Sequence, residues 1–241
     1  MNEPDHRDLI EEAEPLAPGL IHEIRHPLMG ILAGLELLAR RIPSVSGTQE
    51  WQLLNEQAAR IDELLRTYQD LFAGGPVQRI PFSVDETVRR AVSLLSPRIR
   101  KLGASFSLEA AAAPAVAVGA APLLVHAVTN LLANALDAVE ECGTPGGRVQ
   151  VRVLPAPGRV QVRVSDEGTG IPDAVRPHLF QPRFTTKPQG KGTGLGLHLA
   201  RTAMERSGGE LHLVDAEDPS RASWARTEFA ISLPSAGGAQ R

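Results

Sequence analysis

Two runs of apolar residues near the N-terminus constrain the fold of this chain more than any other feature in it. In the first, Leu20, Ile24, Leu28, Ile31, Leu35, Leu38 and Ile42 follow in steps of 4, 4, 3, 4, 3 and 4 residues. In the second, Trp51, Leu54, Ala58, Ile61, Leu65, Tyr68 and Phe72 step 3, 4, 3, 4, 3 and 4. An α-helix puts residues at that spacing on one face. Pro43 and Gly47 punctuate the short link between the runs, which predicts an antiparallel helical hairpin. Neither helix can cover the other's apolar stripe completely, so a homodimeric four-helix bundle is the natural way to bury it. Gly74-Gly75-Pro76 then reads as a domain boundary.

Beyond that boundary the pattern alternates short strands with helices. Strands are expected near 78–81, 104–109 and 115–118, and helices over 84–102 and 122–140. A hairpin of 148–154 and 159–165 turns at Pro155-Ala156-Pro157-Gly158. A Gly- and Pro-rich loop fills 166–192, a length that marks functional lids or disorder in compact domains. A helix over 194–206 and strands over 210–215 and 226–233 close an α/β sandwich. The expected architecture is therefore α+β in two domains: a flexible 1–15, a helical hairpin at 16–75, an α/β sandwich at 76–235 and a flexible tail at 236–241.

Composition narrows the classes. A formal net charge of -3 does not point to a nucleic-acid partner, and the single Cys142 excludes an internal disulfide framework and suits a reducing compartment. The acidic N-terminus has no apolar segment of a secretory signal. The longest uncharged stretch, 110–136, is broken by Pro114, Gly119 and Pro122 and carries Asn130 and Asn134, so no membrane insertion is expected. The expected location is cytoplasmic. Residues 1–15 are too few for a sensory domain, which leaves a separate sensory partner as the expected source of any input.

Four constellations carry chemistry. His22-Glu23-Ile24-Arg25-His26 matches H-E-x-x-H, by which two imidazoles on one helix bind zinc with the glutamate as base. It equally reads as a nucleophilic histidine followed by an acid. With Ile24 toward the core, His22 and His26 each lie roughly 160° around the helix, on its wet side. Pro27 removes an amide donor there, which is expected to disturb the helix, and no third ligand follows at metalloprotease spacing.

Asn130 and Asn134 stand one turn apart on an Ala/Leu-rich helix, with Asp137 on a similar face. Asparagine is a poor helix former, so the pair asks for a reason. A magnesium ion with phosphate oxygens is one, and amide hydrogen bonding in the core is another. Asp166-Glu167-Gly168-Thr169-Gly170 puts an acid at a strand end, with glycines that permit close ligand approach. Gly190-Lys191-Gly192-Thr193-Gly194-Leu195-Gly196-Leu197 opens a helix, where backbone amides and the helix dipole suit phosphate. The chain has only three lysines, and two of them, Lys187 and Lys191, flank this loop.

Taken together and in this order, these segments resemble the sensor histidine kinases of two-component signalling. Residues 22–28 resemble the phospho-acceptor box, 130–138 the N box, 166–170 the first glycine box, 179–187 the F box and 190–197 the second glycine box. The Asn-Ala-Leu-Asp-Ala and Phe-Thr-Thr-Lys versions resemble the nitrogen-regulatory branch. The ATP-binding fold is that of the gyrase, Hsp90 and MutL (GHKL, or Bergerat) superfamily, and the likeness covers roughly 16–235.

The resemblance implies a homodimeric, ATP-dependent protein-histidine kinase, itself a phosphoprotein, with ATP and Mg²⁺ as cofactors. A response regulator's receiver domain is the implied partner. It implies His22 as the phosphorylated nucleophile with Glu23 as general base. Asn134 would bind Mg²⁺, supported by Asn130, with Asp137 on the same site, and Asp166 would accept from the adenine amino group, helped by Thr227. Gly168, Gly170, Gly192, Thr193, Gly194, Leu195 and Gly196 would shape the ATP lid, and Lys187 and Lys191 would contact phosphates. The sequence departs from the family at His26, where threonine or asparagine serves dephosphorylation of the partner, at Arg183 in the F box, and at Arg226 in the last strand, where glycine is usual. A zinc hydrolase built on His22, Glu23 and His26 is the rival from another class. A nucleotide-binding scaffold without phosphotransfer is the milder one.

Overall fold

The structure is a computed structural model that describes residues 17–72, 77–143, 146–187 and 194–237. Side chains of 17–23, and so those of His22 and Glu23, lie outside the described residues, as do the side chains of Tyr68 and Phe72. So do Lys191, Gly192 and Thr193 entirely. The chain divides into two compact units, 1–76 and 77–241.

The first unit is a hairpin of α1 (Ala17–Arg41) and α2 (Gln49–Phe72), joined by a 3₁₀ turn at Pro43–Gly47. Thr48 caps α2 by accepting from the Trp51 amide at 3.3 Å. Contrary to expectation, α1 runs unbroken through Pro27. Within the hairpin only part of each apolar run is buried. Leu28, Ala58 and Leu65 form a small core with Leu32 packed against it, and Arg25 Nε lies 3.2 Å from Asp62 Oδ1 across the two helices. Ile24, Ile31, Leu38, Ile42, Leu54 and Ile61 remain exposed.

The second unit places three helices on a five-stranded sheet. Its strands are β2 (Ser105–Glu109), β4 (Arg148–Ala156), β5 (Arg159–Asp166), β6 (Glu210–Leu213) and β7 (Thr227–Pro234), in the order β2-β4-β5-β7-β6. The β2–β4 pair is parallel and the other three pairs are antiparallel. β1 (Ile80–Ser83) and β3 (Val116–Gly119) make a separate antiparallel ladder. The helices are α3 (Val84–Leu102), α4 (Ala121–Cys142) and α5 (Gly196–Arg206).

Ser83 caps α3 by accepting from the Glu86 amide at 3.3 Å, and Gly103, at φ 65°, ends it in the left-handed region. The hairpin loop is tighter than the sequence suggested, because β4 continues to Ala156 and only Pro157 and Gly158 turn the chain. The long loop after β5 contains a 3₁₀ turn at Arg176–His178. α5 starts at Gly196 rather than at 194.

α4 sits at the centre of the unit, packed between α3 and α5 and against β4 and β5. By length and composition it alone among the described helices could cross a membrane. Here its apolar residues, among them Leu123, Leu124, Val128, Leu131, Leu132 and Leu136, are buried in the domain core. Val149, Val151, Val153, Val160, Val162 and Val164 meet them from alternate positions of β4 and β5.

The opposite face of the sheet is polar, and it is closed at its centre. Glu228 has no solvent exposure. It accepts from Arg163 Nη1 at 2.8 Å, Arg152 Nη2 at 2.9 Å, Ser165 Oγ at 2.7 Å and the Ala222 amide at 3.1 Å. Burial alone would raise its pKa. Ser165, the Ala222 amide and the two arginines outweigh that and hold it below the ordinary glutamate range. The segment between β6 and β7 thus straps the sheet, with Trp224 under the Arg148 guanidinium at 4.8 Å.

Candidate nucleotide-binding site

A cavity of about 580 Å³ opens between α4, the ends of β5 and β7, and the long loop. That volume falls within the range of small-molecule and cofactor pockets. It brings together Asn130, Asn134, Asp137, Asp166, Gly170, Lys187, Gly194, Gly196 and Thr227, residues spread over nearly a hundred positions of sequence. Gly168 and Leu195 adjoin it. The three polar residues of α4 reach it because steps of four and three keep them on one stripe of the helix.

Asp166 ends β5 and Thr227 begins β7, and the two are paired directly across the ladder. Both are buried. Asp166 Oδ1 accepts from the Gly168 amide at 2.9 Å. Burial pushes the Asp166 carboxyl up to about 6, against the opposing pull of the Gly168 amide, the Thr227 hydroxyl and the Arg221 charge. An acceptor of this kind, walled by Val164, Ile171, Leu179 and Phe229, suits a flat heterocycle that presents an amino group.

Gly168 is where the turn after β5 touches α4. A Cβ there would lie 2.5 Å from Ala138 Cβ and 2.6 Å from the Ala138 carbonyl carbon, so only glycine lets the two backbones approach.

At the other end of the cavity the charges pair. Asp137 is bonded to both Lys187 Nζ and Arg98 Nη2, and Arg98 also reaches Glu140 Oε2 at 2.9 Å. Lys187 Nζ lies 3.4 Å from Asn134 Oδ1. Burial would raise the Asp137 pKa, but Lys187 and Arg98 hold it below the usual carboxylate range. Asn130 is anchored from below: its Nδ2 lies 2.9 Å from His126 Nε2 and 3.0 Å from the His126 carbonyl. His126 is buried, and that burial lowers its pKa to about 4, which keeps the ring neutral.

The loop that carries the F-box segment is tied to the core at Phe180. Its ring meets Phe229 edge-on at 6.2 Å and the Arg201 guanidinium at 5.0 Å, while its carbonyl lies 3.1 Å from His198 Nδ1. Arg183 adopts φ 62°, unusual for a residue with a side chain. Gly194, at φ 66°, packs against it, where a Cβ would lie 2.4 Å from the Arg183 carbonyl carbon. Arg226 donates its amide to the Asp166 carbonyl at 2.8 Å, so its side chain is not needed for that contact.

Sequence reasoning missed Arg98, His126 and Arg221. A histidine one turn before Asn130 on an apolar helix was the available signal for His126. Arg98 and Arg221 reach the site only through tertiary packing.

A helix-backed sheet with an acid at the strand end, a polar helix stripe and a glycine-bounded loop is the arrangement of an ATP-binding domain. Residues 119–237 match the family described as histidine kinase-, DNA gyrase B-, and HSP90-like ATPases. The two-component sensor PprA of Pseudomonas aeruginosa is 31% identical over 206 residues, covering 81% of this chain and 22% of PprA. The sensory histidine kinase/phosphatase NtrB of Proteus hauseri is 30% identical over 242 residues, covering 92% of this chain and 62% of NtrB. Among solved structures, the mycobacterial sensor histidine kinase MprB superposes with a TM-score of 0.52 at 31% identity. That match covers 65% of this chain and 97% of the MprB chain. Residues 119–237 are thus an ATP-binding domain of that family, and most of this chain is similar to sensor histidine kinases. The chain spans less than two thirds of the length of the curated relatives it matches.

Proposed function

We propose that this chain is the kinase core of a two-component system. It transfers the γ-phosphoryl group of ATP to His22 and then to an aspartate on a receiver domain. The observation that carries the reading is the cavity, in which a buried acceptor and an apolar wall lie at one end and the Asn130–Asn134–Asp137–Lys187 group at the other. Adenine fits the first end, with its amino group donating to Asp166. The triphosphate fits the second, where Lys187 supplies positive charge and Gly194 and Gly196 line the cavity at the start of α5.

Asn134 is the residue suited to hold Mg²⁺, with Asn130 in support. The donors suit a cation: Asn134 Oδ1 and the Asp137 carboxylate converge on the Lys187 ammonium, an all-oxygen set of the type magnesium takes. When bound, the ion neutralises charge on the phosphates.

In the transfer, an imidazole nitrogen of His22 forms a bond to the γ-phosphorus as the bond to the bridging oxygen of ADP breaks. Glu23 takes the proton that the ring releases. The chain's remaining contribution is positioning. The exposed row of Ile24, Ile31, Leu38, Leu54 and Ile61 supports a homodimeric four-helix bundle. Work on a cytoplasmic receiver domain suits the reducing compartment that Cys142 favours. His26, exposed on α1, stands where relatives of this type use threonine or asparagine, so removal of phosphate from the partner is not part of this proposal. The likeness to sensor histidine kinases does not favour the zinc-hydrolase reading.

Incubation of the purified chain with γ-labelled ATP and Mg²⁺ tests the reading. The expected outcome is an acid-labile label that His22→Gln abolishes and His26→Gln leaves. A label lost with His26→Gln but kept with His22→Gln moves the acceptor. Nucleotide binding without any label makes the chain a scaffold.

A further inference from the structure

Asn130 is held through its nitrogen and presents its oxygen. The Nδ2 amide has two hydrogens to donate, and the structure supplies two acceptors, both from His126: the main-chain carbonyl at 3.0 Å and ring Nε2 at 2.9 Å. The carbonyl can only accept, so it fixes which end of the amide faces His126. Nε2 of the neutral ring then takes the second hydrogen. Oδ1 is left on the other side, facing the start of α5, where a Cβ on Gly196 would come within 3.0 Å of it. Both Asn130 and Gly196 line the cavity, whereas His126 does not and is 6% exposed.

We propose that His126 is a positioning residue of the nucleotide site, which occupies both amide hydrogens of Asn130 so that only its carbonyl oxygen faces the phosphate end of the cavity. The inference rests on the nucleotide-binding reading above and adds to it a polarity. Held in this way Asn130 cannot donate to a phosphate oxygen. It can only accept, and its partner there is a cation or a water bound to one. His126 acts through Asn130 and not on the nucleotide.

The test is calorimetric titration of the full chain with a non-hydrolysable ATP analogue, with and without Mg²⁺. It is made on wild type, His126→Leu, His126→Gln, Asn130→Ala and the double variant His126→Leu/Asn130→Ala. Leaving one amide hydrogen unpaired is expected to weaken the Mg²⁺-dependent binding of His126→Leu by roughly tenfold, with the metal-free affinity little changed. His126→Gln, which can still accept, is expected to recover most of the loss. In the Asn130→Ala background His126→Leu is expected to have no further effect.

An equal loss with and without Mg²⁺, or a full loss from His126→Leu in the Asn130→Ala background, overturns the proposal, because the ring would then act by packing. Thermal melts accompany each titration. If His126→Leu does not fold, His126→Phe, a ring without nitrogen, takes its place in the cycle. A wild-type chain that binds no nucleotide overturns the nucleotide reading itself. A wild-type chain that binds while the cycle is additive overturns only the role of His126.

Discussion

Asp166 is the group in the cavity whose charge is hardest to maintain. Its carboxyl is buried and rises from an ordinary 3.8 to about 6 in the folded chain. A carboxyl with a higher pKa folded than unfolded binds more protons in the native state between those values. Stability therefore falls as pH rises through that range and levels off above it. Relative to Asp166→Asn, the nucleotide-free protein is expected to lose stability between about pH 4 and pH 6, by at most on the order of 3 kcal/mol. Urea midpoints of the two proteins measured at half-unit intervals give the difference, and a flat profile would mean that Asp166 ionises normally. An adenine amino group donating to the carboxylate supplies the missing partner, so nucleotide affinity should weaken below about pH 6. At this scale the sequence was informative about identity and silent about state. An acid followed by two glycines at a strand end could be read from Asp166, Gly168 and Gly170. The height of its pKa depends on Thr227 and on walls from four different segments.

Two contacts between elements of this domain are tight enough to be tested one residue at a time. At the first, the turn after β5 touches α4 backbone to backbone at Gly168 and Ala138. Gly168→Ala forces that turn away from the helix. It is expected to cost about 1–3 kcal/mol, as overpacked cores do, and to weaken nucleotide binding, because Asp166 Oδ1 is held by the same amide. Melting temperature and analogue titration check the two effects together. At the second, β4, β5, β7 and the strap meet on Glu228. Removing it with Glu228→Ala leaves Arg163 buried without its acid and should destabilise by about 3–5 kcal/mol. Replacing Glu228 and Arg163 together by apolar residues is expected to recover much of that loss, measured by the same denaturation.

The helices and most strands were legible because their periods are, and α3 matches its expected span at both ends. Boundaries slipped where tertiary contact decides. β4 and β5 extend each other to a two-residue turn, and α1 runs on through Pro27 although a proline at the eleventh helical position removes one i→i−4 hydrogen bond. The Lys187–Asp137–Arg98 chain could not be read, since its third member is placed only by the packing of α3 on α4.

For the whole molecule, the telling feature is what the first unit leaves uncovered. Ile31 and Leu54 are each more than half exposed, in a hairpin whose core among the described residues centres on Leu28, Ala58 and Leu65. Such a stripe is stable in water when a second copy covers it. Ile31→Glu combined with Leu54→Glu is therefore expected to shift the chain from dimer to monomer in light scattering while analogue binding by the second unit persists. A monomeric wild type at micromolar concentration would remove the bundle from the account. The apolar steps announced this surface. They could not divide it into the part each hairpin covers for itself and the part left for a partner, because that depends on which of two adjacent stripes turns inward.

The contact between Arg183 and Gly194 has a consequence for how this protein can change over evolutionary time. Because those two residues meet backbone to backbone, the segment between them is closed into a ring, which Lys187 also ties to Asp137 on α4. The entropy of closing such a ring grows only logarithmically, about 0.6 kcal/mol for each doubling of its length. Residues can be added to or trimmed from it without disturbing the sheet, so its tempo of insertion and deletion is uncoupled from that of the core. A short peptide tag placed there should leave the fold intact, and the ring is the natural place to install a reporter of nucleotide binding.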